Sequence, residues 1–237
     1  MDLLTTENLV ALISLAALEI VLGIDNIVFI AILTSRLRAD EQSRTRKIGL
    51  GMAMLMRIAL LFVISWVVGL KDPLFNILGH EISGRDLIML GGGLFLIAKA
   101  TYEMHGTFEG SHDGPVTPRQ GTTVLAVLIQ IMLIDVVFSL DSVITAVGMV
   151  GSIPVMIAAV VISVCVMMVF ANPVSTFILR HPTVKMLALS FLLLIGFVLI
   201  ADGFGRHIEK GYIYFAIGFS LAVEALNLRL RKKSVSS

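Results

Sequence analysis

Two ten-residue stretches of the sequence repeat one pattern: LEIVLGIDNI at residues 18–27 and IDVVFSLDSV at residues 134–143. Each has an acidic residue, five further residues, an aspartate and then a small polar residue. The second stretch follows the first by 116 positions at every match. Both are otherwise apolar, and such surroundings are unusual for acidic side chains. The repetition therefore indicates two related helices that carry acids for a reason.

Composition places these stretches in a membrane protein. The chain has 237 residues, of which 57% are hydrophobic and 15% are charged, against about 25% charged residues in an ordinary soluble domain. A membrane-spanning helix needs roughly 20 apolar residues. The hydrophobic residues of this chain therefore suffice for six or seven such helices. This balance excludes a soluble enzyme, a nucleic-acid-binding domain and a disordered chain. The formal net charge of +1 offers no strong field for an acidic partner.

Seven apolar segments are predicted to cross the bilayer. They lack the period-two alternation of barrel strands and therefore indicate helices. Their approximate bounds are 8–34, 48–70, 86–104, 123–149, 153–179, 184–204 and 212–229. The predicted fold is thus an all-α polytopic membrane protein, forming a single transmembrane domain over residues 1–237.

The connecting links predict the orientation of the chain. Twelve Lys and Arg residues lie in the first, third and fifth links and the tail, against four in the other links. Because cytoplasmic links carry the excess of Lys and Arg, the N-terminus is expected outside and the C-terminus in the cytoplasm.

The two acidic stretches lie three spans apart, and three is an odd number. The second copy therefore enters the membrane from the opposite side, which defines an inverted-topology repeat. Repeat one covers about 8–104, repeat two about 123–204, and the helix at 212–229 is an addition. Many secondary transporters have this plan, with a binding site near the midplane.

Four carboxylates are predicted within the spans: Glu19, Asp25, Asp135 and Asp141. Each ionised side chain costs about 2.5–3.5 kcal/mol at the bilayer centre. Protons, bases or a bound cation must therefore neutralise them. The alternatives to a cation site are structural pairing with bases and a pure proton relay.

If these carboxylates bind a cation, all of the predicted ligands bind it through oxygen atoms. Asn26 and Ser142 would complete or orient the shell, and no histidine lies within a predicted span. Such a set suits hard divalent cations, including manganese, magnesium and calcium. In a regular helix, Asp25 points about 120° away from the face of Glu19 and Asn26. An opening near Gly23 or Ser139 would bring both acids to one cavity, and both possibilities stay open.

Five other polar residues are candidates for an outer shell or a gate. They are Gln130, Lys99, Glu103, Arg57 and Asp202. Lys99 and Glu103 are four residues apart and could pair with each other on one helix face. The run Gly91 to Gly93 is typical of close helix packing.

At these residues the sequence resembles the TerC family of bacterial membrane proteins. The marks are the segments at 19–26 and 135–148, together with LFLIAK at 94–99, RHPTVKMLALS at 180–190 and KGYIYFA at 210–216. It is most similar to the seven-span branch without appended cytoplasmic domains. The resemblance implies a bacterial inner-membrane protein of the LysE-like transporter group, linked to metal handling and notably manganese efflux. It also implies that the acidic motif residues are the metal ligands.

The expected function is export of a divalent metal by a secondary transporter, with manganese as the first candidate. The metal is then a substrate, and neither enzymatic activity nor a prosthetic group is expected. The expected partners are the metal and the bilayer, with a possible homo-oligomer and no nucleic acid. Two alternatives remain: a non-transporting partner that delivers metal to secreted or assembling proteins, and an intramembrane acid- or metal-dependent hydrolase.

Overall fold

The computed structural model describes residues 5–63, 73–77, 80–109, 123–150 and 152–234, without some of the side chains, those of Asp25 and Asp141 included. Helices dominate this part of the chain, as the composition predicts. They are α1 (Thr6–Thr34), α2 (Ala39–Phe62), α3 (Gly84–Glu109), α4 (Val124–Met149), α5 (Ile153–Arg180), α6 (Pro182–Gly203) and α7 (Lys210–Ser234). The all-α polytopic fold is therefore confirmed.

Five of these helices are long and apolar enough to cross a membrane over the described residues. The qualifying ranges are Thr6–Thr34, Gly84–Thr107, Ile153–Arg180, Pro182–Gly203 and Gly211–Leu230. Helix α4 has a shorter apolar part, Val124–Leu140. Helix α2 is not among these ranges, because its first half is rich in charged and polar residues. The number of seven spans thus stays a prediction.

The second predicted span, 48–70, is wrong in its bounds. Helix α2 begins at Ala39, because the polar residues before position 48 are helical too. Asp40 and Glu41 lie in its first turn, where negative charge is favourable. The helix ends at Phe62, and residues 64–70 lie outside the described part.

A short hairpin occupies part of what was expected to be a polar link. Strands β1 (Pro73–Ile77) and β2 (His80–Ser83) pair in antiparallel fashion, from Pro73 opposite Ser83 to Ile77 opposite His80. The register shifts between Pro73 and Phe75. Sequence analysis missed these strands, because the stretch is short and lies among turn-forming residues.

The helix pairings follow a symmetric pattern. Helix α1 packs on α5 and α2 packs on α4, while α3–α4 is matched by α1–α6. Exchanging α1, α2 and α3 with α4, α5 and α6 converts each of these pairs into its counterpart, whereas the contacts of α1–α2 and α5–α6 have no comparable counterpart among the described residues. The same exchange leaves the contacts α1–α4, α2–α5 and α3–α6 unchanged. This is the arrangement that two three-helix units around a pseudo-twofold axis would produce. Their orientation in the membrane stays a prediction.

Two glycines allow helices α3 and α6 to touch at their backbones. A Cβ atom at Gly93 would lie 2.7 Å from the carbonyl oxygen of Gly196, and one at Gly196 would lie 2.9 Å from that of Gly93. A Cβ at Gly92 would lie 2.5 Å from Val137 of α4, whereas Gly91 faces open space. The packing role predicted for this run is confirmed for Gly92 and Gly93.

Candidate functional site

The core of the helix assembly holds a buried ion cluster. Arg57 of α2 donates from Nη2 to Asp135 Oδ1 of α4 at 2.7 Å, and its Nε lies 3.2 Å from the same oxygen. Its Nη1 donates to Glu19 Oε2 of α1. None of the three side chains is more than 5% exposed. Arg57, predicted as a possible outer-shell or gating residue, is thus the direct partner of two predicted ligands, as the structural-pairing alternative expects of a base.

Helices α1 and α4 bring their acids to this point without breaking. Both are continuous, α1 through Gly23 and α4 through Ser139. The regular-helix possibility is therefore the one that the structure has. Ser142, a predicted ligand, is buried and donates its hydroxyl proton to the carbonyl oxygen of Ser139 at 3.2 Å. Its oxygen keeps acceptor capacity.

Asn26 joins the cluster from α1. Its Nδ2 donates to Asp135 Oδ1 at 3.3 Å. Its Oδ1 is buried and has no hydrogen-bond partner among the described residues. Because Asp135 Oδ1 is an acceptor, the amide must present its nitrogen there, so the unpartnered atom is the oxygen. Buried polar atoms are nearly always satisfied, so this oxygen is available to accept from a water molecule or to bind a cation.

A narrow cavity adjoins these groups. Asn26, Arg57 and Asp135 line its polar end, and apolar side chains such as Phe29 and Met167 line the remainder. Its free space is that of about one water-sized sphere. The cavity is therefore mostly apolar, with side-chain oxygen atoms supplied by Asn26 and Asp135.

The charges in the cluster do not balance. One guanidinium faces two carboxylates, Glu19 and Asp135, so the three groups carry a net charge of −1 when ionised. Asp25 and Asp141 lie on α1 and α4, and their side chains are outside the described part. The described residues contain no group of three or more His, Cys, Asp or Glu side chains that could hold a metal. Instead, two acids share a guanidinium.

Lys99 and Glu103 pair as predicted, but away from the Arg57 cluster. Lys99 Nζ lies 3.1 Å from Glu103 Oε1, and Arg36 donates to Glu103 Oε2 from Nη2 at 2.6 Å. Both cations also lie over the ring of Tyr102. Lys99 and Glu103, predicted as outer-shell or gating candidates, thus belong to a second ion cluster. Arg36 was not predicted here, because the sequence placed it among the basic residues of the first link.

Asp202 belongs to the end of α6. Its carboxylate lies 3.2 Å from Nδ1 of His207 and accepts from the N–H of Ile208 at 3.4 Å. Gly205 follows with a φ of 72°, the left-handed conformation that closes a helix end. Asp202 therefore stabilises a turn rather than joining Glu19 and Asp135. Gln130 has a buried Oε1 that lacks a hydrogen-bond partner among the described residues.

A second buried arginine escaped sequence analysis. Arg46 of α2 donates from Nε to Asn172 Oδ1 at 3.1 Å and from Nη1 to Thr34 Oγ1 at 3.2 Å. Asn172 also bonds to the hydroxyl of Ser43. This network joins α1, α2 and α5 through neutral partners. The missed signal is that α2 begins before its apolar part, so its early residues reach the core.

The helices, the pairing symmetry and the buried charges define the class. This is a polytopic helical membrane protein with a polar centre built from two related helices. The chain belongs to the TerC family of integral membrane proteins, whose family model, "Integral membrane protein TerC family", matches residues 4–236. That family is associated with membrane transport, and the predicted resemblance is confirmed.

Several relatives have sequences similar to most of this chain. The "UPF0053 inner membrane protein YgdQ" of Escherichia coli K12 is 54% identical over 94% of both chains. A "UPF0053 protein" of Haemophilus influenzae is 52% identical over 95% of both chains. The E. coli K12 "UPF0053 inner membrane protein YoaE" is 50% identical over 94% of this chain but only 43% of its own length. No solved structure gives a significant match.

Proposed function

We propose that this protein is a secondary transporter that exports a divalent metal cation, with manganese as the first candidate. The observation that carries the proposal is the orphan Asn26 Oδ1, which is buried beside the Asp135 carboxylate at a narrow cavity. An amide oxygen beside a carboxylate offers a hard cation two oxygen ligands.

The donor set supports a hard cation. The proposed ligands are Glu19, Asp25, Asn26, Asp135, Asp141 and Ser142, all of which bind through oxygen. Carboxylates, amides and hydroxyls suit magnesium, calcium and manganese, whereas zinc and copper sites usually include imidazole or thiolate. Residual negative charge in the Arg57 cluster also favours a cation over an anion.

The helix pairing supports transport rather than catalysis. Acids from α1 and α4, which exchange under the pseudo-twofold relation, meet where the two units pack together. Alternating access uses such a midplane site while one unit rocks against the other. In this proposal the metal is the substrate, the protein is not an enzyme, and no prosthetic group takes part.

The test is manganese flux into proteoliposomes containing the full-length protein. We expect saturable flux that magnesium and calcium reduce to different extents. Asp135→Asn is expected to lower the flux by at least about tenfold, because one lost carboxylate ligand weakens both binding and neutralisation.

A matched control is Glu224→Gln, which alters an acid on α7. Glu224 accepts a hydrogen bond from Thr183, and a glutamine oxygen can still accept it. Its flux should equal that of the wild type. Folded wild-type protein that binds manganese without moving it would favour the metal-delivery alternative. Turnover of a membrane substrate without ion flux would favour the hydrolase.

A further inference from the structure

We propose that Arg57 is a tethered counterion that occupies the cation site when it is empty and makes the site selective for divalent over monovalent ions. The inference rests on the proposed function and deepens it. It assigns to Arg57 a specificity-determining role, which is exerted through competition for Asp135.

One carboxylate oxygen of Asp135 is crowded by nitrogen donors. Asp135 Oδ1 lies 2.7 Å from Arg57 Nη2, 3.2 Å from Arg57 Nε and 3.3 Å from Asn26 Nδ2. Three N–H groups therefore point at this oxygen, which leaves no direction for a metal ion. Among the described residues, the other oxygen, Oδ2, has one hydrogen bond, of 3.4 Å, from Nε. A cation can reach Oδ1 only after Arg57 withdraws from it.

Arg57 keeps a carboxylate partner when it withdraws from Asp135. Arg57 bonds to Glu19 through Nη1, which is a separate nitrogen from those that face Asp135. Arg57 can keep its hydrogen bond to Glu19 while it releases its hydrogen bonds to Asp135. The incoming ion then takes the place of the guanidinium at Asp135, beside the unpartnered Asn26 oxygen.

The charge of the incoming cation decides whether it can displace Arg57 from Asp135. A monovalent cation would replace one positive charge at Asp135 by another, with no electrostatic gain to offset its own dehydration. A divalent cation brings one charge more than the guanidinium that it displaces, and the attraction to each carboxylate grows in proportion. The tethered arginine therefore sets a threshold that sodium and potassium fail to pass.

The cluster can accept further positive charge. Arg57 serves two carboxylates, so the three groups carry a net charge of −1 when all of them are ionised. Arg57 and Asp135 also line a cavity, next to an acceptor that lacks a donor among the described residues.

The experiment measures manganese binding to purified full-length protein, using electron paramagnetic resonance of free Mn²⁺. Arg57→Gln removes the competitor, and we expect manganese affinity to rise about tenfold, within the usual range of coupled binding. We also expect sodium to compete with manganese in Arg57→Gln but not in the wild type, with N-methylglucamine chloride at equal ionic strength as the salt control. Arg57→Lys keeps the charge but not the separate nitrogens that face Glu19 and Asp135, so its manganese affinity should lie between those of the wild type and Arg57→Gln.

Arg46→Gln is the matched control. Arg46 lies on the same helix, is also buried, and bonds to Asn172 and Thr34 rather than to carboxylates. It should leave manganese affinity unchanged. If Arg57→Gln fails to fold, Glu19→Gln is compared with the Glu19→Gln, Arg57→Gln double variant, which strands no second carboxylate.

Unchanged or weaker manganese binding in folded Arg57→Gln would overturn the inference, as would an equal gain in Arg46→Gln. Either result would leave the proposed function intact if the wild type binds and transports manganese. Failure of the wild type and every variant to bind manganese, magnesium or calcium would overturn the proposed function together with this inference.

Discussion

Arg57 and Asp135 form a two-nitrogen ion pair in the interior of the helix assembly, with Nη2 and Nε of the guanidinium both directed at Oδ1 of the carboxylate. The pair joins α2 to α4, and its extension to Glu19 adds α1. A single guanidinium therefore connects three helices, and it does so at the position where sequence analysis placed an acidic site.

Removal of Arg57 should strongly destabilise the metal-free protein. Breaking a buried ion pair leaves an uncompensated charge and costs about 3–5 kcal/mol. We expect this loss for Arg57→Gln, against about 1–3 kcal/mol for Glu19→Gln, which loses one charged hydrogen bond. Because the two residues are in contact, the double variant should lose less than the two single losses together. Thermal unfolding in detergent measures all three, and additive losses would contradict the shared cluster.

A substitution at Gly93 tests the contact between α3 and α6. Gly93→Ala would place a methyl group 2.7 Å from the Gly196 carbonyl oxygen. Backbone cannot yield as a flexible side chain can, so the helices must separate, and overpacking of this kind costs about 1–3 kcal/mol. Gly91→Ala is the control, because nothing lies within 4 Å of its added Cβ. Equal unfolding temperatures for the two variants would show that the close approach is unimportant.

Glu103 tests the second ion cluster. Its buried carboxylate holds Arg36 and Lys99, and Glu103→Gln would leave two cations without a counter-charge. We expect a loss of about 3 kcal/mol. Asp40→Asn is the comparison, since Asp40 pairs with Arg38 while both side chains are about 70% exposed, and such pairs contribute little. Equal unfolding temperatures for Glu103→Gln and Asp40→Asn would contradict this expectation.

Gly205 tests the end of α6. With a φ of 72°, it adopts the left-handed conformation, which costs other residues about 1 kcal/mol or slightly more. The site has open space, so the penalty of Gly205→Ala is conformational alone. Gly211→Ala, in the first turn of α7 and equally open, should not destabilise. A neutral Gly205→Ala in the same unfolding assay would contradict the turn geometry.

Much of the architecture could be predicted from the sequence alone. Apolar runs of about 20 residues can satisfy their backbone in lipid only as helices, so composition and length determined the fold class. The repeated acids at residues 18–27 and 134–143 predicted that α1 and α4 would contribute to one polar centre, and Glu19 and Asp135 do share a partner. The glycine run predicted close packing, since an absent Cβ has the same effect in any helix pair.

Only the tertiary structure decided which charges meet. Arg57 lies 38 positions from Glu19 and 78 from Asp135, and no local spacing links residues that far apart. Arg36 and Arg46 were read as link charges, yet one binds Glu103 and the other lies buried against Asn172. Sequence periodicity shows which face of a helix is apolar, but the crossing of three helices selects the counterion that each buried acid receives. That selection placed the guanidinium of Arg57, rather than Lys99, between Glu19 and Asp135.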